Sequence, residues 1–444
     1  MYVRTMENGK THVELAKCGI ITPQMEAVAS CEGIESEVVL SRIAEGSLVI
    51  MTRGQVSVAI GKGATTKVNV NIGTSSAKID PEEEIEKARV AERYRADTLT
   101  DLSMGGDIPS IRRSIYQHTT LPITTVPIYQ SVAQQGIYSM TEDYLLNTIE
   151  SQVDEGASSV VLHCIERDCI EKLKGNPRIM GMVSKGGSFT SIYMLTNECG
   201  NPFIDNFDSI MDILKKNDVV LSLGNTMRSG CIHDKPDSPQ RQEMLTNMKL
   251  AKRANAAGVQ VIVEGMGGHV QASEVAGYVR YHKDAGDFPL FVAGPLPTDV
   301  AVGYDHIAGA VGASMAAGAG ADYLCYITPS EHLRLPTVDD VREGLVAFRI
   351  AAHIGDSIKF GAGQQDRELA KSRAVMDWDG QMQHAIEPEK ASKMCPKRGP
   401  CTMCGDFCAL EIMHDFLNGD TGDSSSNGNN GSMVKEGTIK SKIL

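Results

Sequence analysis

From Lys67 onward, short β-branched runs alternate with longer amphipathic stretches, and this rhythm limits the fold more than any other feature of the chain. The strand candidates are Val68 to Ile72, Thr98 to Leu102, Ile123 to Ile128, Ser159 to His163, Met182 with Val183, Val219 to Leu223, Val259 to Val263, Leu290 to Ala293 and Tyr323 to Ile327. Stretches such as Pro81 to Arg95, Glu142 to Glu155 and Gln240 to Ala257 separate them and carry helical periodicity. Strand–helix alternation means parallel strands joined by crossover helices. Nine candidates at this spacing predict an α/β fold, a (β/α)8 TIM-type barrel with one misassigned or extra strand, ahead of a doubly wound open sheet.

In such barrels the loops at the carboxyl ends of the strands build the active site. Here those positions carry Asn71 and Gly73, Asp101, Tyr129, His163, Ser184-Lys185-Gly186-Gly187, Asn225 with Arg228, Glu264 with His269, Gly294-Pro295, and Thr328 to His332. Each has an ordinary structural explanation taken singly; their recurrence at one rim is what points to a site. Ser184-Lys185-Gly186-Gly187-Ser188 offers backbone amides and an ammonium to a phosphate. His269, on a glycine-rich and therefore flexible loop, and His332 fall on neighbouring loops and have the chemistry to hold a divalent metal with positions left open.

Outside the barrel, 61–335, the chain divides into an N-terminal helical region, 1–60, a helical extension, 336–394, a cysteine-bearing arm, 395–417, and a tail, 418–444. Thr22-Pro23 opens one helix of the first region and a second runs from Glu35 toward Gly46. The tail is rich in Gly, Ser, Asn and Asp, the composition of a disordered segment. In the arm, Cys401, Cys404 and Cys408 can hold three irons of a cubic cluster and leave the fourth open to a small molecule. With Cys395 the same thiols can instead close a structural zinc site, and spacing alone leaves both readings open.

Composition excludes some roles. A formal net charge of −13 disfavours sequence-independent binding to nucleic acid or to an anionic membrane surface. No apolar run reaches the roughly 20 residues that span a bilayer, and no signal segment opens the chain. An odd count of 11 cysteines, seven of them scattered along the chain, suits a reducing compartment. The expectation is a cytoplasmic protein with a small-molecule partner.

From about Thr5 to Leu410 the chain resembles the phosphomethylpyrimidine synthase family of radical S-adenosylmethionine lyases. The matching motifs are Asn69-Val70-Asn71-Ile72-Gly73-Thr74-Ser75, Thr125-Val126-Pro127-Ile128-Tyr129-Gln130, Gly303-Tyr304-Asp305-His306-Ile307, the run from Cys325 to Leu333, and the closing cysteines. The resemblance implies a barrel that binds 5-aminoimidazole ribotide through Asn71, Tyr129, His163, Ser184, Lys185, Gly186, Arg228 and Glu264. It implies a divalent metal, zinc foremost, on His269 and His332, and a 4Fe-4S cluster with S-adenosyl-L-methionine on Cys401, Cys404 and Cys408, leaving Cys395 spare. An external electron donor and a homodimer, or a complex with a paralogue, follow from the same comparison.

Four positions depart from the family pattern: Thr100 in place of Met, Asn225-Thr226-Met227-Arg228 in place of Asp-Gly-Leu-Arg, one extra residue between Glu264 and His269, and Phe291 in place of a substrate-contacting Tyr. With Thr100, Asn225 and Phe291 counted in the pocket, these changes lead to the expectation of the sister activity, conversion of the ribotide to 5-hydroxybenzimidazole for a cobamide lower ligand. The alternative is the pyrimidine product, 4-amino-5-hydroxymethyl-2-methylpyrimidine phosphate for thiamine. Two other classes remain at this level: a metal-dependent barrel hydrolase or aldolase with structural zinc, and an inactive paralogue supporting an active partner.

Overall fold

The computed structural model describes residues 9–418 apart from Asn176, Lys235, Met266, Lys397 and Arg398. The first residues of the helical region and the tail read as disordered lie outside the described residues. The chain forms two compact units, 1–363 and 364 onward.

The first unit is built on eight parallel strands closed into a barrel: β3 (Lys67–Ile72), β4 (Thr98–Asp101), β5 (Ile123–Thr125), β6 (Ser159–Leu162), β7 (Val220–Leu223), β8 (Val261–Glu264), β9 (Leu290–Ala293) and β10 (Tyr323–Cys325). β10 pairs with β3 to complete the ring. Neighbouring strands are staggered so that Asn71 lies beside Thr100 and Glu264 beside Phe291. The expected barrel is therefore present. Local chemistry starts its helices: Asp80 before Pro81–Arg93 and Asp237 before Ser238–Ala257 each accept from a first-turn amide, with Pro at the first or second helical position.

Three sequence expectations are corrected. Residues 48–61, assigned to the helical region, form an antiparallel hairpin of β1 (Leu48–Arg53) and β2 (Val56–Gly61) after helices His12–Lys17, Pro23–Glu32 and Ser36–Glu45. Its alternating residues face two cores. Val49, Met51, Val58 and Ile60 pack with Val220, Ile262, Phe291 and Tyr323, while Leu48, Ile50 and Ala59 pack with the helices. The hairpin thus plugs the amino-terminal mouth of the barrel. Gln260 completes its edge, accepting from the Ile50 amide at 2.7 Å and donating to the Ile50 carbonyl at 3.2 Å.

Met182 and Val183 form no strand. They lie in an irregular connection that crosses the rim between helix Arg167–Lys172 and helix Lys185–Thr196. The boundary drawn at 335 also moves, because Val338–Phe360 packs against Asp305–Ala319, Pro81–Arg93 and β3 as a barrel helix. The second unit then begins at Gln364 with helices Gln364–Ala374, Trp378–His384 and Pro388–Met394. No described helix is long and apolar enough to cross a membrane.

Candidate active site

At the carboxyl-terminal mouth of the barrel the helix Lys185–Thr196 turns its amino terminus inward. Ser184 caps it, accepting from the Gly187 amide at 3.1 Å. Lys185 lies over the ring of Tyr129 with Nζ 5.3 Å from the centroid, and Phe189 meets the same ring edge-on at 5.9 Å. Burial alone pulls the Lys185 ammonium below its ordinary range. Burial pushes the Tyr129 phenol up to about 12, so it remains a protonated hydrogen-bond donor.

His163, at the end of β6, is wedged against this terminus. A Cβ added at Gly186 would fall 2.2 Å from Cε1 of His163, so only glycine lets the ring and the backbone approach so closely. Burial, reinforced by the positive charge of Arg228, lowers His163 to about 3 and keeps the imidazole neutral. Its Nδ1 is buried without a hydrogen-bond partner among the described residues. A phosphate or ribose hydroxyl is the kind of group such a nitrogen can meet.

The loops after β7 and β8 supply the opposite charges. Glu264 accepts from the Asn225 amide at 3.1 Å, and Arg228 donates to the Asn225 carbonyl at 2.8 Å. Burial raises the Glu264 carboxyl, with Arg228 pulling the other way. Behind the loop the buried Glu243 accepts from the amides of Thr226 and Met227, both at 2.7 Å, and burial raises it to about 7. Glu84 plays the same part after β3, accepting from the Gly73 amide at 2.6 Å while paired with Lys87 at 2.6 Å. Neither glutamate stands out in the sequence. The only signal is a carboxylate at a buried position of an amphipathic helix.

Asn71, at the end of β3, donates to Sγ of Cys325 at 3.0 Å. The other two pocket expectations fall deeper. Thr100 donates to Oδ1 of Asn69 at 3.0 Å, in a network that also takes in Thr98 and Tyr323. Phe291 stacks on Tyr323 at 4.2 Å and belongs to the apolar cluster above the plug. Both belong to the barrel filling, so the sequence departures at these positions alter the floor beneath the mouth.

His269 and His332 come together, with Nε2 atoms 3.3 Å apart. His269 does not sit on a flexible loop as expected. Its amide donates to the Ser229 carbonyl at 3.1 Å, the Ser229 hydroxyl donates back to the His269 carbonyl, and Leu296 pairs with Gly268 and Val270 on the other side. Nδ1 of His269 lies 2.6 Å from Asp299, and Nδ1 of His332 lies 3.4 Å from Asp305. Asp299 escaped the sequence reading altogether, and Asp305 entered it only as part of a motif. Among the described residues no group of three or more His, Cys, Asp or Glu side chains converges as a metal site.

The cysteines lie in the second unit. Cys401, Cys404 and Cys408 are free thiols linked by successive turns: the Cys404 and Gly405 amides reach the Cys401 carbonyl and the Cys408 amide reaches that of Gly405. Gly405 takes φ +52° within this winding. Three unpaired soft donors in eight residues suit iron.

A closed eight-stranded barrel with a glycine-rich helix terminus, Glu264 and Arg228 on one loop backbone, and a histidine pair at its carboxyl-terminal mouth defines a (β/α)8 enzyme. Residues 11–415 match the Radical SAM ThiC family, and the chain belongs to it. A protein of Dehalococcoides mccartyi named phosphomethylpyrimidine synthase is 44% identical over 424 residues, covering 92% of this chain and 98% of its own. Relatives of the same name from Caldanaerobacter subterraneus, 44% identical over 425 residues, and Geobacter metallireducens, 43% identical over 426, each share 92% of this chain and 98% of their own. The family uses a 4Fe-4S cluster and S-adenosylmethionine. These relatives overturn the expectation of a benzimidazole product. Two of the positions that prompted it, Thr100 and Phe291, are tied into the packed barrel interior.

Proposed function

We propose that this chain is a phosphomethylpyrimidine synthase, converting 5-aminoimidazole ribotide to 4-amino-5-hydroxymethyl-2-methylpyrimidine phosphate. One observation carries the reading: a glycine-rich helix terminus, Ser184 to Gly187, approaches the neutral His163 at the same mouth where Glu264 and Arg228 both hold the Asn225 backbone. A molecule with a phosphate at one end and a polar heterocycle at the other matches that arrangement.

Ser184, Lys185 and the amide of Gly186 hold the phosphate, as helix amino termini do. Tyr129 and His163, both uncharged, meet the ribose. Glu264 and Arg228 orient the aminoimidazole, with Asn71 and Asn225 completing the polar wall. Cys401, Cys404 and Cys408 would hold the cluster, which with S-adenosylmethionine would supply radical chemistry for hydrogen abstraction from the ribotide. The barrel's contribution is to fix the ribose and to exclude water from it. His269 and His332 bind a divalent ion, zinc being the first to test, which leaves positions for substrate or cofactor oxygen.

The test is product identification. Anaerobically reconstituted full-length protein with the ribotide, S-adenosylmethionine and a reductant yields hydroxymethylpyrimidine phosphate and 5'-deoxyadenosine by mass spectrometry. Cluster-replete protein that forms no pyrimidine phosphate overturns the reading.

A further inference from the structure

We propose that Asp299 and Asp305 are positioning residues that set both histidines of the rim pair in one tautomer and so make the pair a cation site. The proposal rests on the metal reading of His269 and His332 given above. A carboxylate can only accept, so an imidazole whose Nδ1 faces one carries its hydrogen there and presents a lone pair at Nε2. Asp299 is hydrogen-bonded to Nδ1 of His269 at 2.6 Å, and the Asp305 carboxylate lies 3.4 Å from Nδ1 of His332, at ion-pair rather than hydrogen-bond geometry, which favours the same tautomer there. Both lone pairs then point across the same 3.3 Å gap between the Nε2 atoms.

Two lone pairs aimed at each other repel, and a cation between them removes the repulsion. The gap suits one. Two nitrogens on a tetrahedral ion, each bonded at about 2.0–2.1 Å, stand about 3.3–3.4 Å apart.

Neither aspartate is free to drift from its histidine. Asp299 also accepts from the Ile232 amide, at 3.0 Å to Oδ2, which anchors it to the loop after β7. Asp305 is 3% exposed, begins the helix Asp305–Ala319, and its Oδ2 is buried without a hydrogen-bond partner among the described residues. A fixed carboxylate behind each ligand also strengthens the imidazole as a donor. The two aspartates come from the segment after β9 and from the helix that follows it. The histidines come from the loops after β8 and β10. Three successive connections of the barrel therefore close on one point.

The test titrates Mn(II) into full-length, cluster-loaded protein and follows the free-ion electron paramagnetic resonance signal, since manganese competes poorly for thiolates. Wild-type protein binds one ion and His269→Ala does not. Asp299→Ala and Asp305→Ala each weaken binding 10- to 100-fold with unchanged circular dichroism. Asp299→Asn, which keeps one oxygen to accept from Nδ1 but loses the charge and the second acceptor oxygen, recovers part of the loss. Should both alanine variants bind as tightly as wild type while His269→Ala fails, the positioning role is wrong and the metal site stands. Should wild type and His269→Ala bind alike, the metal reading itself is wrong. If Asp299→Ala does not fold, Asp299→Asn and Asp305→Ala decide the matter.

Discussion

At the scale of single residues, the site depends on close approaches that only small side chains allow. Gly186 is the sharpest case, because its missing side chain is where the His163 ring lies. Gly186→Ala must displace either the ring or the helix terminus, and overpacking of this kind costs about 1–3 kcal/mol. We expect the variant to fold and to lose on the order of a hundredfold in kcat/KM, about 2.7 kcal/mol of transition-state stabilisation. Steady-state kinetics on the ribotide, beside a thermal melt, measure both quantities. Unaltered kcat/KM would show that His163 and the helix terminus do not act together on substrate.

At the scale of elements, the β1–β2 hairpin couples two cores. Ile60 is fully buried against the barrel floor. Its partners include Phe291, beside Glu264 in the sheet, and Tyr323, which joins the Asn69 network under the mouth. Ile60→Ala removes buried methylenes and leaves a cavity, a change that costs about 2–5 kcal/mol. Denaturant unfolding should show a loss in that range, with ribotide turnover retained at temperatures where the variant is folded. A loss under 1 kcal/mol would mean that the plug is not part of the barrel's cooperative unit. Much of this level was legible. Seven of the nine proposed strands match barrel strands by type and place, because their β-branched runs report burial on both faces. The eighth match, Ile123 to Ile128, ends early, since Pro127 starts the next helix. The hairpin was missed although Leu48 to Met51 and Val56 to Ile60 are apolar runs separated by a Gly54 turn. Its function as a plug has no sequence signature.

At the scale of the molecule, Cys401, Cys404 and Cys408 belong to the second unit, not to the one that holds the barrel. Units with their own contacts unfold largely on their own terms. Cys404→Ala should therefore abolish the iron-sulfur absorbance and turnover while the main thermal transition, that of residues 1–363, moves by less than 2 °C. A large drop in that transition would show that cluster binding holds the barrel together.

The sequence by itself determined the barrel, the rim on which Tyr129, His163, Lys185, Arg228, Glu264, His269 and His332 fall, and the three thiols suited to iron. These follow from strand periodicity, which places one end of every strand on a common rim, and from the fixed chemistry of each side chain. The tertiary structure decided what lies behind them. Glu84, Glu243, Asp299 and Asp305 reach the site from helices and loops 11 to 30 residues away from the groups they touch. It also put Thr100 and Phe291 into the barrel filling. Such contacts depend on register and helix rotation, which a pattern of apolar and polar residues along one chain does not encode.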